Sequence, residues 1–357
     1  MAIPFGEMKS MLSKGIITQV IKNEWLFSPY TMHRKPEVSP IEIWERIDST
    51  NNRAIQLAKE HVKDGTVVIA DEQIKGRGRM GRSFYSPDKT GLYLSMIVRR
   101  PFQKMKMMRD VPGFLTALAG VVAAESIFEA TGVDARIKWV NDIYVGEKKA
   151  GGILTEGTFS NGDLAFAVIG IGLNLFSPEE GFPAEIQKTA AVIVPERDKY
   201  EGPSPVTLPF ELPYMSPTAS PSKQIVRYLR EYIAGLIIGK LTNWLNELEI
   251  EPSTTKEKLF CQYYDRFKWM LGKKVGVFDR LTGGIVPLTV CGLSRKFELA
   301  VANYDDTGDV DRSNAQNAAG STGEDIYYDK PEPPNIIFLH SGDIVYFNSS
   351  DSLTSKE

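Results

Sequence analysis

Apolar and polar residues first alternate clearly at positions 41–47, after residues 1–40, which lack a regular hydrophobic period. Alternation with a period of two predicts a strand with one buried face. Further strands are predicted at 66–70, 92–98 and 135–139, with a hairpin at 143–145 and 151–156 and a strand buried on both faces at 164–175. Helices are predicted at 54–61, 113–130, 224–248 and 254–270. The pattern therefore predicts an α+β fold.

The last part of the chain has a different pattern, made of short apolar runs. Strands are predicted there at 274–278, 286–290, 297–301, 336–339 and 343–347, which indicates a small β domain. Residues 304–335 interrupt it and are predicted to be an exposed, disordered insertion. Seven prolines between Pro195 and Pro221 predict a loop. We expect an N-terminal extension (1–40), a main domain (41–270, with the proline-rich loop 195–221) and a C-terminal domain (271–357 with the insertion).

Composition narrows the possible classes of function. The 357 residues carry a formal net charge of −3, so the chain as a whole is not built to bind polyanions. Cys261 and Cys291 lack C-x-x-C spacing, which predicts a reducing, cytoplasmic setting and neither a disulfide framework nor a zinc site. The three histidines lie in separate segments, which argues against a histidine metal centre or a Ser-His-Asp mechanism. No apolar run is expected to reach the ~20 residues of a membrane span, and positions 8–21 are expected to be an ordinary helix or leader.

The candidate chemistry centres on residues 76–82, which read Gly-Arg-Gly-Arg-Met-Gly-Arg and which we call the arginine loop. Glycines let a backbone bend sharply and approach a ligand closely, and arginines can fork onto a carboxylate or phosphate. These letters also contain G-x-G-x-x-G, a dinucleotide fingerprint that needs a strand before it and a helix after it. Because the segment that follows predicts another strand, at 92–98, the fingerprint is rejected.

Other segments carry residues suited to a binding site. Ser49, Thr50 and Asn51 stand at a helix start, where one is expected to be the N-cap and the other two to face a ligand. Lys138 stands on an apolar strand. The alternative explanation, a lysine at the strand end whose charged group simply reaches solvent, has about half the weight. Glycines inside buried strands mark either a bulge or the close approach of a backbone or ligand. The glycines concerned are Gly151, Gly152, Gly170 and Gly172.

Taken together, the glycines predict a slot for a thin ligand, with Lys138 and the arginines supplying positive charge at one end. The chain has no G-x-x-x-x-G-K-[ST] motif, so a P-loop is not the phosphate holder. The residues alone predict a carboxylate-activating or phosphate-handling enzyme. An RNA-binding Gly/Arg loop has about equal weight at this point.

Five segments in a fixed order add a resemblance: 47–51, 76–82, 138–142, 150–154 and 170–174. They resemble the signature of the biotin protein ligases (holocarboxylase synthetases), closely over residues 41–176 and loosely in the C-terminal β domain. Lipoate ligases are similar in fold but lack the run of glycine and arginine. The resemblance implies a mixed β-sheet with helices, like the core of class II aminoacyl-tRNA synthetases, followed by an SH3-like β-barrel.

The resemblance also implies a reaction. Biotin and ATP would give biotinyl-5'-AMP and diphosphate with Mg²⁺ as cofactor, and the acyl group would then pass to a lysine of the biotin carboxyl carrier domain of a carboxylase. The implied protein is a cytoplasmic monomer or homodimer with no nucleic-acid or membrane partner. Lipoate or octanoate attachment is the alternative within the same superfamily, and RNA binding is the alternative outside it.

Roles carried over from the resemblance make Lys138 and Arg79 catalytic. Biotin would be bound by Ser49, Thr50, Asn51, Gln73, Gly76, Arg77, Gly151, Gly152, Gly170 and Gly172. ATP and its phosphates would be bound by Arg77, Arg79, Arg82, Phe84, Lys138, Asn141 and Asn174, and Asn174 would also lie near Mg²⁺.

The chain departs from the family pattern at several positions. Val140 stands where the family often has proline, Phe84 where it often has tryptophan, and Met80 where the bacterial repressor type has another arginine. The first two changes are expected to be tolerated. Residues 1–40 are too few for a complete winged helix-turn-helix, so a DNA-binding repressor role is not expected.

Overall fold

The computed structural model describes residues 12–26, 28, 37–99, 111–161, 163–195, 228–278 and 284–303, with short strands at 326–328, 337–339 and 344–345. The chain divides into two compact units. The first unit comprises Met1–Ile137 and Asn141–Leu259, and the second comprises Lys138–Val140 and Phe260–Glu357.

A seven-stranded mixed sheet is the centre of the first unit. Its strands are β1 (Ile41–Ile47), β2 (Val67–Gln73), β3 (Gly91–Val98), β4 (Arg136–Lys138), β5 (Asp142–Val145), β6 (Lys148–Ser160) and β7 (Asp163–Asn174). They lie in the order β1-β2-β3-β7-β6-β5-β4. Strands β1 and β2 are parallel, whereas the neighbouring pairs from β2 to β5 are antiparallel.

Five α-helices are described: α1 (Lys14–Leu26), α2 (Thr50–Lys59), α3 (Val111–Thr131), α4 (Leu229–Ile250) and α5 (Pro252–Phe267). Helix α2 packs on one sheet face, where its Leu57 meets Val68 and Phe166. Asp71 is an odd number of residues from Val68 and so faces the other side, where Arg230 of α4 forms an ion pair with it at 2.7 Å. Helix α3 covers the same side. The face beneath α2 is therefore the one left for a site.

Helix α3 differs from the expectation that no apolar run reaches the length of a membrane span. At 21 residues it is long and apolar enough to cross a membrane, although the sequence was expected to contain no such run. Within its most apolar stretch, 78% of the window is buried inside the unit. Core packing accounts for its composition, since a helix that is apolar all round is buried on all sides.

The second unit contains a small antiparallel sheet. Its strands are β8 (Lys274–Phe278), β9 (Ile285–Ser294), β10 (Leu299–Ala302), β11 (Ile326–Tyr328), β12 (Ile337–Leu339) and β13 (Ile344–Val345), in the order β12-β10-β9-β8-β13 with β11 on β9. Residues 138–140 are held in this unit by two hydrogen bonds. Trp139 Nε1 donates to Phe297 O at 2.7 Å, and the Tyr263 hydroxyl donates to Val140 O at 3.1 Å.

Most predicted elements are present, with shifted ends. The helix predicted at 54–61 begins at Thr50, and the last predicted helix ends at Phe267 and continues as a 3-10 turn, Lys268–Met270. The strand predicted at 297–301 begins only at Leu299, because Phe297 has a φ of 62° and forms a turn. The hairpin turns at Gly146, whose φ of 58° suits the first position of a two-residue turn.

Two predicted segments lie only partly within the described residues. Strand β11 lies inside residues 304–335, so the expectation of an irregular insertion was wrong for Ile326–Tyr328, which pair with β9. The rest of that insertion, the proline-rich residues 196–221 and the helix start at 224–227 lie outside the described residues. Of the helix predicted near 8–21, the structure describes α1, whose buried side packs on α4.

Candidate functional site

The arginine loop is an ordered, hairpin-like excursion between β2 and β3. Phe84 N donates to Gly76 O at 2.9 Å, and Gly78 N donates to Arg82 O at 2.7 Å. Met80 is at the tip, 70% exposed and with a φ of 55°. Gly76 cannot carry a side chain here, because a Cβ would collide with Phe84 O. The sequence therefore encodes a tight turn that presents arginines.

Two of its arginines contact the body of the first unit. Arg77 binds Glu156 of β6 with both terminal nitrogens, Nη2 to Oε1 at 2.7 Å and Nη1 to Oε2 at 3.1 Å. Arg79 Nη1 donates to Asn141 Oδ1 at 2.9 Å. Arg82 is exposed at the end of the loop. The loop thus lies against the sheet end rather than extending into solvent.

The start of α2 is capped from outside the helix. Ser49 occupies the N-cap position, as predicted for one residue of the 49–51 segment, but its side chain accepts no cap hydrogen bond. Instead Gln73 Oε1 accepts hydrogen bonds from Thr50 N at 2.9 Å and from Thr50 Oγ1 at 3.1 Å. Gln73 Nε2 in turn donates to Ser86 Oγ at 3.0 Å. Gln73 therefore fixes the helix start against the base of the loop.

A buried serine that the sequence did not single out connects these groups. Ser95 Oγ on β3 lies 2.8 Å from Thr50 Oγ1 and 2.6 Å from Asn51 Oδ1, and Ser95 is fully buried. Asn51 Nδ2 donates to Glu156 Oε2 at 2.9 Å and to Leu154 O at 3.3 Å. Asn51 is thus engaged on both sides of its amide. One polar network runs from Gln73 to Arg77.

The predicted glycines lie on neighbouring strands, but most of the close approaches are made by this protein's own groups. A Cβ on Gly170 would overlap Asn51 Oδ1, and one on Gly172 would lie 2.7 Å from Phe84 Cε1. A Cβ on Gly151 would lie 2.6 Å from Gly172 O. Gly152 is different, because the nearest atom is Lys149 Cε at 3.4 Å. The prediction that a group comes close to the glycine was correct at 151, 170 and 172. The group is the backbone oxygen of Gly172 at Gly151, the Asn51 side chain at Gly170 and the Phe84 ring at Gly172.

The remaining predicted residues lie at strand ends. Asn174 ends β7 and donates from Nδ2 to Ala191 O at 3.2 Å. Asn141 Nδ2 donates to Ile153 O at 3.0 Å, which holds its carbonyl oxygen for Arg79. Lys138 is half-buried at the end of β4 and groups with Trp139 and Val140 in the second unit.

Charged groups beside the glycines were not foreseen either. Lys149 Nζ lies 2.6 Å from Asp142 Oδ1, and both side chains border Gly152.

Burial raises the pKa of the Tyr93 hydroxyl, which donates to Pro87 O at 3.0 Å beneath Phe84. Among the described residues, no group of three or more His, Cys, Asp or Glu side chains is placed to hold a metal ion.

Part of this chain is similar in sequence to known proteins. Residues 43–174 match the model of the biotin/lipoate A/B protein ligase family. The chain is 38% identical over 146 residues to the bifunctional ligase/repressor BirA of Bacillus subtilis, a match that spans 40% of this chain and 43% of that protein. It is 34% identical over 151 residues to the biotin--[acetyl-CoA-carboxylase] ligase of Paracoccus denitrificans, spanning 42% of this chain and 60% of that protein. The matches therefore cover less than two thirds of these relatives.

Solved structures show the same fold over a longer stretch. The biotin protein ligase of Aquifex aeolicus in complex with biotin and ATP superimposes with a TM-score of 0.55 at 21% identity, covering 87% of this chain and 99% of that one. Its apo structure gives a TM-score of 0.53 at 20% identity.

Proposed function

Because residues 43–174 match the model of the biotin/lipoate A/B protein ligase family, we propose that this chain is an ATP-dependent biotin protein ligase. A carboxylate oxygen of biotin attacks the α-phosphorus of ATP, diphosphate leaves, and biotinyl-5'-AMP forms. The amine of an acceptor lysine, on the biotin carboxyl carrier domain of a carboxylase, then attacks the acyl carbon. AMP leaves, and the amine loses a proton.

One observation carries the proposal. The arginine loop lies against the start of α2 and the glycine-bearing strands β6 and β7, through the contacts of Arg77 with Asn52 and Glu156. Each of these segments was singled out separately in the sequence. Their convergence supports a site in which a cationic loop covers a ligand near the end of the sheet.

The biotin end of the site is assigned to the start of α2. Thr50 and Gln73 are held in fixed orientation by their mutual hydrogen bonds, and Ser49 is buried beside them. Fixed donors and acceptors of this kind suit a cyclic urea, which has one carbonyl acceptor and two N–H donors. Asn51 already uses both amide hydrogens, so we assign it to support these groups. We assign the space above Gly152 to the ligand, because no group lies closer than 3.4 Å to the position of a Cβ there.

The phosphate end is assigned to Arg79, Arg82, Lys138 and Asn174, with Phe84 and Asn141 supporting them. Attack of a carboxylate on a phosphate brings two anions together, so fixed cations lower the barrier by stabilising the added negative charge. A closed loop would also keep water from the mixed anhydride.

Magnesium is a hard cation that prefers oxygen ligands and usually keeps waters and substrate phosphates. In the described part of the chain no group of three or more His, Cys, Asp or Glu side chains is placed to hold a metal ion; we propose that Mg²⁺ arrives with ATP and lies near Asn174. When bound, it would neutralise phosphate charge.

The finer architecture belongs to the same proposal. We assign the mixed sheet with its helices to a class II aminoacyl-tRNA synthetase-like core within residues 41–270, and the small antiparallel sheet to an SH3-like barrel within 271–357, after the extension 1–40. We also propose a cytoplasmic monomer or homodimer without nucleic-acid or membrane partners.

Lipoate or octanoate attachment is the second candidate, because the matching family includes lipoate ligases. An RNA-binding loop is less favoured, since Arg77 and Arg79 are engaged by Glu156 and Asn141.

Exchange of labelled diphosphate into ATP separates these candidates. We expect exchange that depends on biotin and Mg²⁺ and that neither lipoate nor octanoate supports. Exchange with lipoate or octanoate alone would favour the alternative. Absence of exchange with every acid, in a folded protein, would refute an adenylating function.

A further inference from the structure

We propose that Glu156 is a positioning residue that holds the arginine loop closed and couples it to the biotin end of the site. This inference rests on the proposed function for its catalytic consequence. Its structural part, a carboxylate that ties the loop down, can be tested without any substrate. The sequence did not single out Glu156.

Glu156 contacts two partners at once. Its two carboxylate oxygens accept hydrogen bonds from the two terminal nitrogens of Arg77, at 2.7 and 3.1 Å. Oε2 also accepts a hydrogen bond from Asn51 Nδ2 at 2.9 Å. Paired, charge-assisted hydrogen bonds to a guanidinium fix its direction as well as its distance. The side chain of Glu156 is 25% exposed and that of Arg77 40%, so solvent screens the pair only in part.

The position of Glu156 on the sheet explains why it can do this. On β6 the side chains alternate between faces, so Glu156 lies on the same side as Leu154 and Gly152, whose strand partners are Gly170 and Gly172. Because these glycines leave space, Asn51 can lie over Gly170 and reach Glu156. The carboxylate of Glu156 therefore lies beside the surface formed by Gly152, Gly170 and Gly172.

The contacts continue beyond Asn51. Ser95 Oγ joins Asn51 to Thr50, and Thr50 is bound by Gln73. A ligand that binds Thr50 and Gln73 thus stabilises the same network that orients Glu156. We infer that occupancy of the biotin end strengthens closure of the loop, and that loosening the loop weakens retention of the ligand.

A second ion pair in the same unit provides a matched control. Arg53 binds Glu42 through Nε at 2.9 Å and Nη2 at 3.0 Å, again with both carboxylate oxygens. That pair joins α2 to the edge strand β1 and does not contact the arginine loop. Glu42→Gln removes the same charge and the same type of contact as Glu156→Gln.

The first test is limited digestion by trypsin of the full chain without ligands. The loop region offers four cleavage sites, after Lys75, Arg77, Arg79 and Arg82. We expect Glu156→Gln to raise the rate of cleavage at these sites about tenfold, as for the loss of one charge-assisted contact, and Glu42→Gln to leave it unchanged. Arg77→Lys, which keeps a cleavage site and the charge but loses the paired geometry, should behave like Glu156→Gln.

Equal loop cleavage in the parent, Glu156→Gln and Arg77→Lys would overturn the proposal. If Glu156→Gln is cleaved throughout the chain, the shorter Glu156→Asp decides instead. It keeps the charge, so the chain should resist cleavage elsewhere, but it should open at the loop.

The second test measures release of biotinyl-5'-AMP from preloaded protein. We expect Glu156→Gln to release it about tenfold faster, with a smaller change in the rate of its formation, and Glu42→Gln to match the parent. Equal release by all three would refute the coupling. If the parent forms no adenylate, the proposed function fails, whereas the digestion result still decides whether Glu156 holds the loop.

Discussion

Gly170→Ala tests whether the floor of the site is shaped by Asn51, as the contacts require. An alanine Cβ at position 170 would overlap Asn51 Oδ1 and come within 2.8 Å of Asn51 Cγ. Asn51 is not free to turn away, because Ser95 Oγ lies 2.6 Å from Oδ1 and Glu156 Oε2 lies 2.9 Å from Nδ2. The new methyl group must therefore displace the amide and break these contacts.

The expected cost follows from two effects. Overpacking of a filled interior costs ~1–3 kcal/mol, and each buried hydrogen bond that is broken costs ~1 kcal/mol. We expect Gly170→Ala to lower the free energy of unfolding by about 3 kcal/mol. On a background of Asn51→Ala, which removes the obstructing atoms, the same change should cost less than ~1 kcal/mol, so the coupling in the double-mutant cycle should be about 2 kcal/mol.

Urea denaturation of the parent, both single variants and the double variant measures this coupling. Gly152→Ala is the control, because its Cβ would meet nothing closer than 3.4 Å and should change stability by less than ~0.5 kcal/mol. Additive effects of Asn51→Ala and Gly170→Ala, or an equal cost for Gly152→Ala, would refute the reasoning.

Three further predictions concern other parts of the chain. Lys138→Ala should slow single-turnover formation of biotinyl-5'-AMP by about 100-fold or more while biotin affinity stays within about threefold, as for loss of one preorganised contact; an unchanged rate would exclude the assigned role. Burial raises the pKa of the Glu231 carboxyl above 4.5, so its contribution to stability is present below that pH and is lost as pH rises through the folded pKa. Glu231→Gln, which stays neutral, should therefore gain in unfolding free energy relative to the parent between pH 4.5 and 8; a constant difference would contradict this. Burial raises the pKa of the Cys291 thiol to about 12, whereas Cys261 is exposed, so iodoacetamide at pH 8 should label Cys261 alone until the chain is unfolded; labelling of both in the folded chain would be the contrary result.

Local pattern was sufficient for much of the fold. The alternation at 41–47 and the apolar run at 164–175 each predicted a strand that the structure contains, because a half-buried or fully buried strand imposes its period on the sequence. The ends of elements were less predictable. The start of α2 at Thr50 was signalled by the 49–51 segment, but the group that accepts the Thr50 N–H, Gln73, lies 23 residues away along the chain and was not predicted for this role.

The supporting residues of the site were missed for a similar reason. Ser95 stands in an apolar strand and Glu156 in an alternating one, so each is compatible with an ordinary strand. Their partners are distant in sequence: 44 residues separate Ser95 from Asn51, and 105 separate Asn51 from Glu156. Gly170 was a usable signal, since a glycine in a buried strand requires a close neighbour. Only the packing of α2 on the sheet could reveal that this neighbour is Asn51.

Isothermal titration of the full chain with biotin, with and without ATP and Mg²⁺, tests the central claim most directly. A site built from the α2 start, the arginine loop and the glycine strands predicts saturable binding of one biotin per chain. Adding ATP and Mg²⁺ should strengthen apparent binding by about 100-fold or more, as biotin is converted to an adenylate that engages both ends of the site. Absence of saturable biotin binding by the folded chain, under either condition, would contradict the account.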